Sequence, residues 1–281
     1  MFKRSYAAAV CLAGAVCLAG GRPLSGAADE KPAPTPDQIQ NIITSFVQKE
    51  TEFATARENY TYQQRTKMEE TEPIGGSFEV LEEVTFDDRD HRTSRVLRAP
   101  VTSLQNIVMT HEDEEDYRNV MPFVMTTATR PEYDVSYVGR EQVDEISCFV
   151  FSVKPKMLTK DRKRYFEGQI WVDDQDLQIV KTYGRATGYL RRGEDQQFPK
   201  FETYRQQIDG KYWFPVYTYA DDTLNFKDGQ SQRIKVVIHY DHYKKYQFKS
   251  QSTITYGEVG NGGTAAPSNP PAKPQSQNPP Q

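Results

Sequence analysis

The sequence predicts an α+β fold, mainly β, in which one large antiparallel sheet is accompanied by two helices. Three observations lead to this prediction. An apolar stripe at helical spacing lies near the start, about ten strand-like segments follow it, and most of these are joined by short polar turns. Connections this short require antiparallel pairing. The even spacing of the strands indicates a single curved sheet of roughly nine to eleven strands.

The N-terminal helix is predicted from its cap and its apolar stripe. Thr35 or Asp37 can cap it, and Pro36 suits the first turn of a helix. The apolar residues that share one side are Ile39, Ile42, Ile43, Phe46, Val47 and Phe53. Such a stripe has to lie on an apolar surface, so we expect this helix to cover one face of the sheet.

The remaining elements follow from turn signals and alternating apolar residues. A short acidic helix is predicted over residues 110–120, because the residues from Thr110 to Asp113 have the form of a capping box. Turns are predicted at residues 75–76, 87–90, 173–176 and 209–210. The predicted strands are residues 60–68, 77–86, 92–97, 133–138, 147–153, 165–172, 177–186, 201–208, 212–219 and 233–243.

The first 28 residues have the pattern of a cleavable signal peptide. Lys3 and Arg4 precede an apolar run over residues 7–19, which is too short for a lasting membrane anchor. Cys11 and Cys17 each follow a valine, which disfavours acylation as a lipoprotein. We therefore expect a periplasmic protein without a stable membrane span after cleavage. A lipoprotein and an uncleaved anchor helix are the alternatives.

The rest of the chain divides into a spacer, one domain and a tail. Residues 29–36 form a proline-rich spacer, and residues 37–259 are predicted to fold as a single domain. Residues 260–281 contain no aromatic or branched aliphatic side chain. Because such a segment cannot offset its ordering entropy by burial, we expect the tail to be disordered.

Charge and cysteine content exclude several classes of protein. Removal of the predicted leader takes the formal charge from −4 to about −7, so nucleic acid is not an expected partner. Cys148 is then the one remaining cysteine, which leaves no intramolecular disulfide to form. It lies in a strand-like apolar run, and we expect it to be a buried core residue and not a nucleophile.

No residue pattern predicts a catalytic centre, a metal site or a cofactor site. On a regular strand His239 and Asp241 face one way and His242 the other, so they cannot converge on a metal ion. The acidic residues 112–116 lack the alternating ligands and central glycine of a calcium loop. Nucleophile elbows, phosphate loops and dinucleotide fingerprints are absent from the sequence. A secreted hydrolase with a site of scattered residues stays an alternative.

Three segments resemble the LolA/LolB-like group of periplasmic, outer-membrane lipoprotein-sorting proteins. They are YVGREQVD at residues 137–144, CFVFSVKP at residues 148–155, and GQIWVD at residues 168–173, the last followed by LQIVK at residues 177–181. The resemblance implies an unclosed β-barrel whose concave face is covered by helices around an apolar cavity. Glu145 departs from the pattern, where the group usually has glycine, and RseB-type sensor domains share the same short signals.

The resemblance implies a non-catalytic carrier of lipoprotein acyl chains or another apolar ligand. Aromatic residues of the later strands and the stripe of the first helix are the candidates for its cavity. The predicted ligand-binding residues are Ile39, Ile42, Ile43, Phe46, Trp171, Trp213, Phe214 and Tyr217. The alternative is an RseB-like envelope sensor or interaction module that binds an envelope protein.

Overall fold

The computed structural model describes residues 33–87, 91–192, 195 and 197–245. The predicted signal peptide, the first half of the spacer, the centre of the turn at residues 87–90 and the C-terminal tail lie outside these ranges. Residues 246–259, the end of the predicted domain, lie outside them as well.

Two α-helices and ten strands make up the described fold. Helix α1 spans Pro36–Arg57, and helix α2 spans His111–Glu115 and continues into a π-helical turn over Asp116–Val120. A 3-10 turn covers Arg130–Glu132. The strands are β1 (Tyr60–Glu72), β2 (Ser77–Phe86), β3 (Arg92–Thr102), β4 (Tyr133–Val143), β5 (Ile146–Pro155), β6 (Arg164–Asp173), β7 (Ile179–Gly188), β8 (Lys200–Ile208), β9 (Tyr212–Asn225) and β10 (Ser231–Lys245).

All ten strands belong to one antiparallel sheet. Their order is β3-β2-β1-β10-β9-β8-β7-β6-β5-β4, so two meanders are joined where β1 pairs with β10. The two edge strands, β3 and β4, do not pair with each other, and the sheet remains open. The predicted fold class, a mainly β α+β protein with one open curved sheet, is confirmed.

One face of the sheet, here called the inner face, packs against the helices and forms the main core. On β10 the buried residues Ile234, Val236, Ile238 and Tyr240 alternate with more exposed ones, as expected for a strand with one covered face. From the helix side, Phe46 of α1 enters this core, and its ring centroid lies 5.4 Å from that of Phe151.

Helix α1 begins with a complete capping box. The Thr35 hydroxyl accepts a hydrogen bond from the Gln38 N–H at 3.3 Å, and the Gln38 side chain accepts one from the Thr35 N–H at 2.8 Å. Thr35 is therefore the N-cap and Asp37 lies in the first turn. The predicted stripe is only partly buried at its start, where Ile39 lies at the core margin, and becomes fully buried from Ile43 onward.

A charged residue in α1 is as deeply buried as its phenylalanines. Glu50 accepts hydrogen bonds from the Arg205 guanidinium at 3.1 Å and from the Ile179 N–H at 3.2 Å. Arg205 also donates to the carbonyl oxygen of Phe123. Burial raises the pKa of Glu50, an effect that Arg205 opposes. This ion pair attaches α1 to β7 and β8.

Cys148 lies on the opposite, outer face of the sheet, in a small apolar cluster with Val150, Trp171 and Val180. It is fully buried, and burial raises the pKa of its thiol to about 12. The prediction of a buried core cysteine is confirmed. The thiolate is the reactive form of cysteine, so we expect Cys148 to react slowly with thiol reagents while the chain is folded.

The structure corrects several predicted boundaries. The helix predicted over residues 110–120 is α-helical only to Glu115. The strand predicted from Leu177 begins at Ile179, because Leu177 has a positive φ of 52° and ends the preceding turn. Strand β3 continues five residues beyond its predicted end, to Thr102. Turn geometry and long-range pairing decide these ends, and neither is visible in local periodicity.

The burial gradient along α1 generates a matched test. We expect Ile43→Ala to lower the free energy of unfolding by about 2–5 kcal/mol, because Ile43 is only 4% exposed and its loss leaves a cavity. Ile39→Ala is the control, since the same truncation at the core margin should cost clearly less. Urea unfolding of both variants measures the difference. Equal losses would contradict the placement of α1.

Candidate functional site

The structure distributes the eight predicted ligand-binding residues over different places. Ile39, Ile42, Ile43 and Phe46 lie together on α1 in or beside the main core. Phe214 packs under the C-terminal half of α1, with its ring centroid 5.0 Å from that of Phe53. The helix residues and Phe214 thus face the inner side of the sheet.

The other three predicted residues lie on the outer face. Trp171 belongs to the Cys148 cluster and donates a hydrogen bond to Glu141 at 2.9 Å, and Trp213 packs against the same cluster. Tyr217 stacks with Tyr219, at 6.5 Å between ring centroids. The eight residues therefore do not meet in one cavity, and their role as ligand contacts stays a prediction.

A cavity of about 580 Å³ lies elsewhere on the inner face. It opens at the end of the sheet where β9 ends and β10 begins, between the sheet and the segment that leads into α2. The C-terminal half of α1 lies toward the opposite end, since Phe53 contacts Tyr212 and Phe214 at the start of β9. None of the eight predicted residues lines this cavity.

The floor of the cavity is apolar and comes from three neighbouring strands. Met68 of β1, Leu224 of β9, and Ile234 and Val236 of β10 supply it. Ile107 and Met109 line it from the segment before α2. The remaining lining includes many polar and charged side chains, among them Asp116, Tyr117 and Arg162. The volume and the apolar floor are those of a small-molecule binding site.

Glu70, near the end of β1, holds the wall of the cavity in place. Its buried carboxylate accepts hydrogen bonds from the backbone N–H groups of Gln105 at 2.9 Å, Asn106 at 2.7 Å, Ile107 at 2.9 Å and Gly76 at 2.6 Å. Burial opposes ionisation of Glu70, but these four donors outweigh it, and its pKa is lowered. A side chain at Gly76 would place its Cβ 1.7 Å from the Ser103 carbonyl oxygen.

A buried polar network fixes the π-helical turn at the other side of the cavity. Gln64 of β1 donates to the carbonyl oxygen of Tyr117 at 3.2 Å. Arg118 donates to the buried carboxylate of Glu82 at 3.2 Å, and Arg92 contacts the same carboxylate at 3.4 Å. The turn is thereby attached to β1, β2 and β3. A π-helical turn of this kind often marks a functional position.

This turn places two buried polar groups at the cavity. Asp116 and Tyr117 both line it, and they are 7% and 2% exposed. Neither Asp116 Oδ1 nor the Tyr117 hydroxyl has a hydrogen-bond partner within the part of the chain that the structure describes. Arg164 Nε is 3.8 Å from Asp116 Oδ1, beyond hydrogen-bond distance.

Burial raises the pKa of Asp116 to about 8. Arg164 of β6 opposes the shift, and the carboxylates of Asp113, Glu115 and Glu112 add to it. Burial also raises the pKa of the Tyr117 hydroxyl. Both groups can therefore carry a proton near neutral pH inside an apolar cavity.

Two other hollows differ in character from the large cavity. One of about 140 Å³ includes Phe214 and lies near Phe53 and Arg118. The other, about 560 Å³, has a largely polar lining that includes Glu52, Asp209, Lys211 and Lys245. The cavity floored by β1, β9 and β10 is thus the candidate for an apolar ligand.

The histidine-containing segment at the end of β10 departs from a regular strand. The register between β1 and β10 shifts near Tyr62, and His242 has a positive φ of 55°. Asp241 and His242 are consequently both exposed and lie side by side, with 2.5 Å between Oδ1 and Nδ1. Over residues 33–87, 91–192, 195 and 197–245, no group of three or more His, Cys, Asp or Glu side chains could hold a metal ion.

None of the helices that the structure describes has the length and apolar character needed to cross a membrane.

Sequence reasoning missed the residues that build the cavity. Met68 and Val236 lie in predicted strands, but nothing local distinguished them from other core positions. Leu224 lies beyond the predicted end of its strand at residue 219. The capping box at Thr110 was the one signal close to the cavity. It is confirmed, with the Thr110 hydroxyl accepting from the Asp113 N–H at 3.2 Å.

Comparison with known proteins finds no matching family model and no match among curated proteins. Solved structures do show similarity. A DUF1329 family protein from Desulfovibrio piger is 13% identical with a TM-score of 0.39, and the match covers 73% of this chain and 90% of that one.

Two further similar structures are of the group that the motifs at residues 137–181 resemble. A LolA superfamily protein from Nitrosomonas europaea is 11% identical with a TM-score of 0.34, over 73% of this chain and 93% of that one. A putative outer membrane lipoprotein-sorting protein domain from Vibrio parahaemolyticus is 9% identical with a TM-score of 0.38, over 75% of this chain and 93% of that one.

The raised pKa of Asp116 gives a pH-dependent stability. The folded chain keeps this proton at pH values where the unfolded chain, with a pKa near 3.8, has lost it. The contribution of Asp116 to stability is therefore complete below about pH 4 and is lost as the pH rises through about 8. Asp116→Asn mimics the protonated form and should remove this dependence.

We expect Asp116→Asn to gain stability relative to the parent as the pH rises from 5 to 9, by about 4 kcal/mol. Urea unfolding of both proteins at the two pH values measures the change. Asp144→Asn is the control, because Asp144 is exposed and its φ of 52° suits asparagine equally well. A difference that stays constant from pH 5 to pH 9 would contradict the raised pKa.

Proposed function

We propose that this protein is a periplasmic binding or carrier protein that takes up an apolar ligand, such as the acyl chain of a lipoprotein. The observation that carries the proposal is the cavity of about 580 Å³ with its apolar floor on the inner face of an open sheet. The signal peptide predicted for residues 1–28 supports export to the periplasm.

The volume and lining of the cavity support reversible binding by burial alone. Small-molecule sites commonly have volumes of about 300–1,000 Å³ and are lined mainly by apolar side chains. Each methylene moved from water onto the floor formed by Met68, Leu224 and Val236 contributes about 0.8 kcal/mol. A chain of ordinary length would therefore bind usefully without any covalent step.

The surroundings of the cavity support a role in holding a ligand. The ends of its wall are fixed to the sheet through Glu70 on one side and through Gln64 and Glu82 on the other. Between these anchors, Met109 and Ile107 lie in a segment without regular secondary structure. Preorganised walls of this kind lower the entropic cost of binding.

Binding of a fluorescent probe to the parent protein and to a variant with a side chain filling the cavity tests the proposal. The uncharged fluorophore N-phenyl-1-naphthylamine should bind the parent protein with increased emission. Leu224→Trp should weaken this binding at least about tenfold, because the indole occupies space above the floor. Leu97→Trp is the matched control, since Leu97 lies on β3 and is 39% exposed.

Melting temperatures of both variants distinguish a filled cavity from a damaged fold. We expect Leu224→Trp to melt no lower than a few degrees below the parent, because the indole replaces empty space. Probe binding that is unchanged in a folded Leu224→Trp variant would overturn the assignment of this cavity.

A second candidate function, an envelope sensor or protein-interaction module, is favoured by the edge strand β3. Val96 and Val101 on this strand are 49% and 64% exposed, and Leu97 is also exposed. Among the described strands β3 pairs with β2 alone, so one row of its backbone groups is available for another strand. Proteins usually protect such an edge, and an exposed one can accept a partner strand.

Crosslinking in the periplasm tests this second function. If β3 accepts a partner strand, Val96→Lys should reduce crosslinked envelope protein, because an added charge at an edge opposes strand pairing. Val138→Lys on the other edge strand, β4, is the matched control, as Val138 is 52% exposed. Equal crosslinking by both variants and the parent would exclude β3 as the contact.

A further inference from the structure

The polar lining of the cavity is strongly acidic on one side. Five carboxylates and a single guanidinium contribute to it, and the side chains are Glu112, Asp113, Asp116, Asp195, Asp228 and Arg162. Arg162 donates a hydrogen bond to Glu112, so its positive charge is already directed at one of these carboxylates. The remaining charge of the lining is negative, which favours a positively charged group in the ligand.

A second, independent observation lies deeper in the cavity. Asp116 and Tyr117 are more than nine-tenths buried, and both line the cavity. Asp116 Oδ1 and the Tyr117 hydroxyl make no hydrogen bond to any described residue. A buried polar atom without a partner destabilises the folded chain, and a ligand that forms a hydrogen bond to it recovers this free energy.

We propose that the ligand is an amphiphile with a primary ammonium head group, which lies against Asp116 and Tyr117 while its apolar chain covers the floor. This inference rests on the proposed function of the same cavity. An ammonium group has three N–H donors and no acceptor, which matches a carboxylate and a phenolic oxygen. A carboxylate head group would instead bring acceptors against an acidic lining.

Arg164 lies beside Asp116 but does not line the cavity. Its Nε is 3.8 Å from Asp116 Oδ1, and its guanidinium lies over the Phe198 ring, 4.7 Å from the centroid. A ligand in the cavity therefore meets the Asp116 carboxyl. It does not meet Arg164, the arginine that could attract an anion.

The groups around Asp116 set the pH dependence of amine binding. Asp113, Glu115 and Glu112 face it from its own segment, Arg164 faces it from β6, and Arg162 lies at the same cavity. Burial raises the pKa of Asp116 to about 8 in the empty cavity. Because an ammonium head pairs with the ionised form, its binding should strengthen as the pH rises from 6 to 8.

Three amphiphiles of equal chain length test the head group. Dodecylamine, dodecanol and dodecanoate are each added below the critical micelle concentration to the protein without residues 1–28, at pH 7.5. The displacement of bound N-phenyl-1-naphthylamine measures the affinity of each amphiphile. We expect dodecylamine to bind at least about tenfold more tightly than dodecanoate, with dodecanol between them. Only the dodecylamine affinity should rise between pH 6 and pH 8.

The variant Asp116→Asn tests whether Asp116 is responsible for the preference for an ammonium head group. The variant should bring the ratio of dodecylamine to dodecanoate affinity close to one. Asp144→Asn, an exposed change on the β4–β5 turn, should keep the parent ratio. A cooperative urea unfolding transition of Asp116→Asn shows that the variant is folded, so a lost preference cannot be attributed to a damaged fold.

The outcomes separate this inference from the proposed function. If none of the three amphiphiles displaces the probe, the proposed function fails. Equal affinities, tighter binding of dodecanoate, or a preference that survives Asp116→Asn would each overturn the ammonium head group, while the apolar binding function would stand. A tenfold preference for dodecylamine over dodecanoate that is lost in Asp116→Asn supports both the apolar binding function and the ammonium head group.

Discussion

The buried ion pair between Glu50 and Arg205 fixes the position of α1, and the arrangement of the inner face follows from it. The two side chains are 0% and 1% exposed, and their partners include the Ile179 N–H and the Phe123 carbonyl oxygen. One helix, two strands and the segment after the π-helical turn therefore meet at one pair of charges. Removing either partner of such a pair leaves a buried charge without compensation, which typically costs about 3–5 kcal/mol. The pair thus acts as a strong restraint on where α1 can lie.

With α1 held in this way, the other end of the inner face needs a different cover. Helix α2 has five residues, and the segment before it has no regular structure, so neither supplies enough apolar side chains to fill the space above β1, β9 and β10. Two buried carboxylates attach this cover to the sheet. Glu70 holds the backbone before α2, and Glu82 holds Arg118 after it. A rigid but incompletely packed cover is the physical origin of the cavity, since close-packed interiors otherwise leave few voids of this size.

The cavity combines features that cost stability unless something binds there. An apolar floor left open to solvent forgoes hydrophobic burial, and the unpartnered atoms of Asp116 and Tyr117 forgo hydrogen bonds. Six further buried side-chain atoms also lack a hydrogen-bond partner among the described residues, and four of them are guanidinium Nε atoms. None of the six residues that carry these atoms lines the cavity. Local departures from good packing and polar satisfaction are concentrated at functional sites in natural proteins. Their coincidence in one cavity is the reason to place the function there.

The sequence by itself determined the elements whose signals are local. Alternation predicted the strands, and the apolar run around Cys148 predicted its burial. Thr35 or Asp37 with Pro36 predicted the start of α1, and the capping box at Thr110 predicted the start of α2. Tertiary structure decided the rest. The partner of Glu50 is 155 residues away, and a buried charge has the same local pattern as a solvated one. Trp171 and Trp213 were expected in a cavity, but one-residue alternation placed them on the outer face. The cavity is formed by strands from both ends of the described chain, because β1 pairs with β10, and no local pattern encodes a contact between segments so far apart.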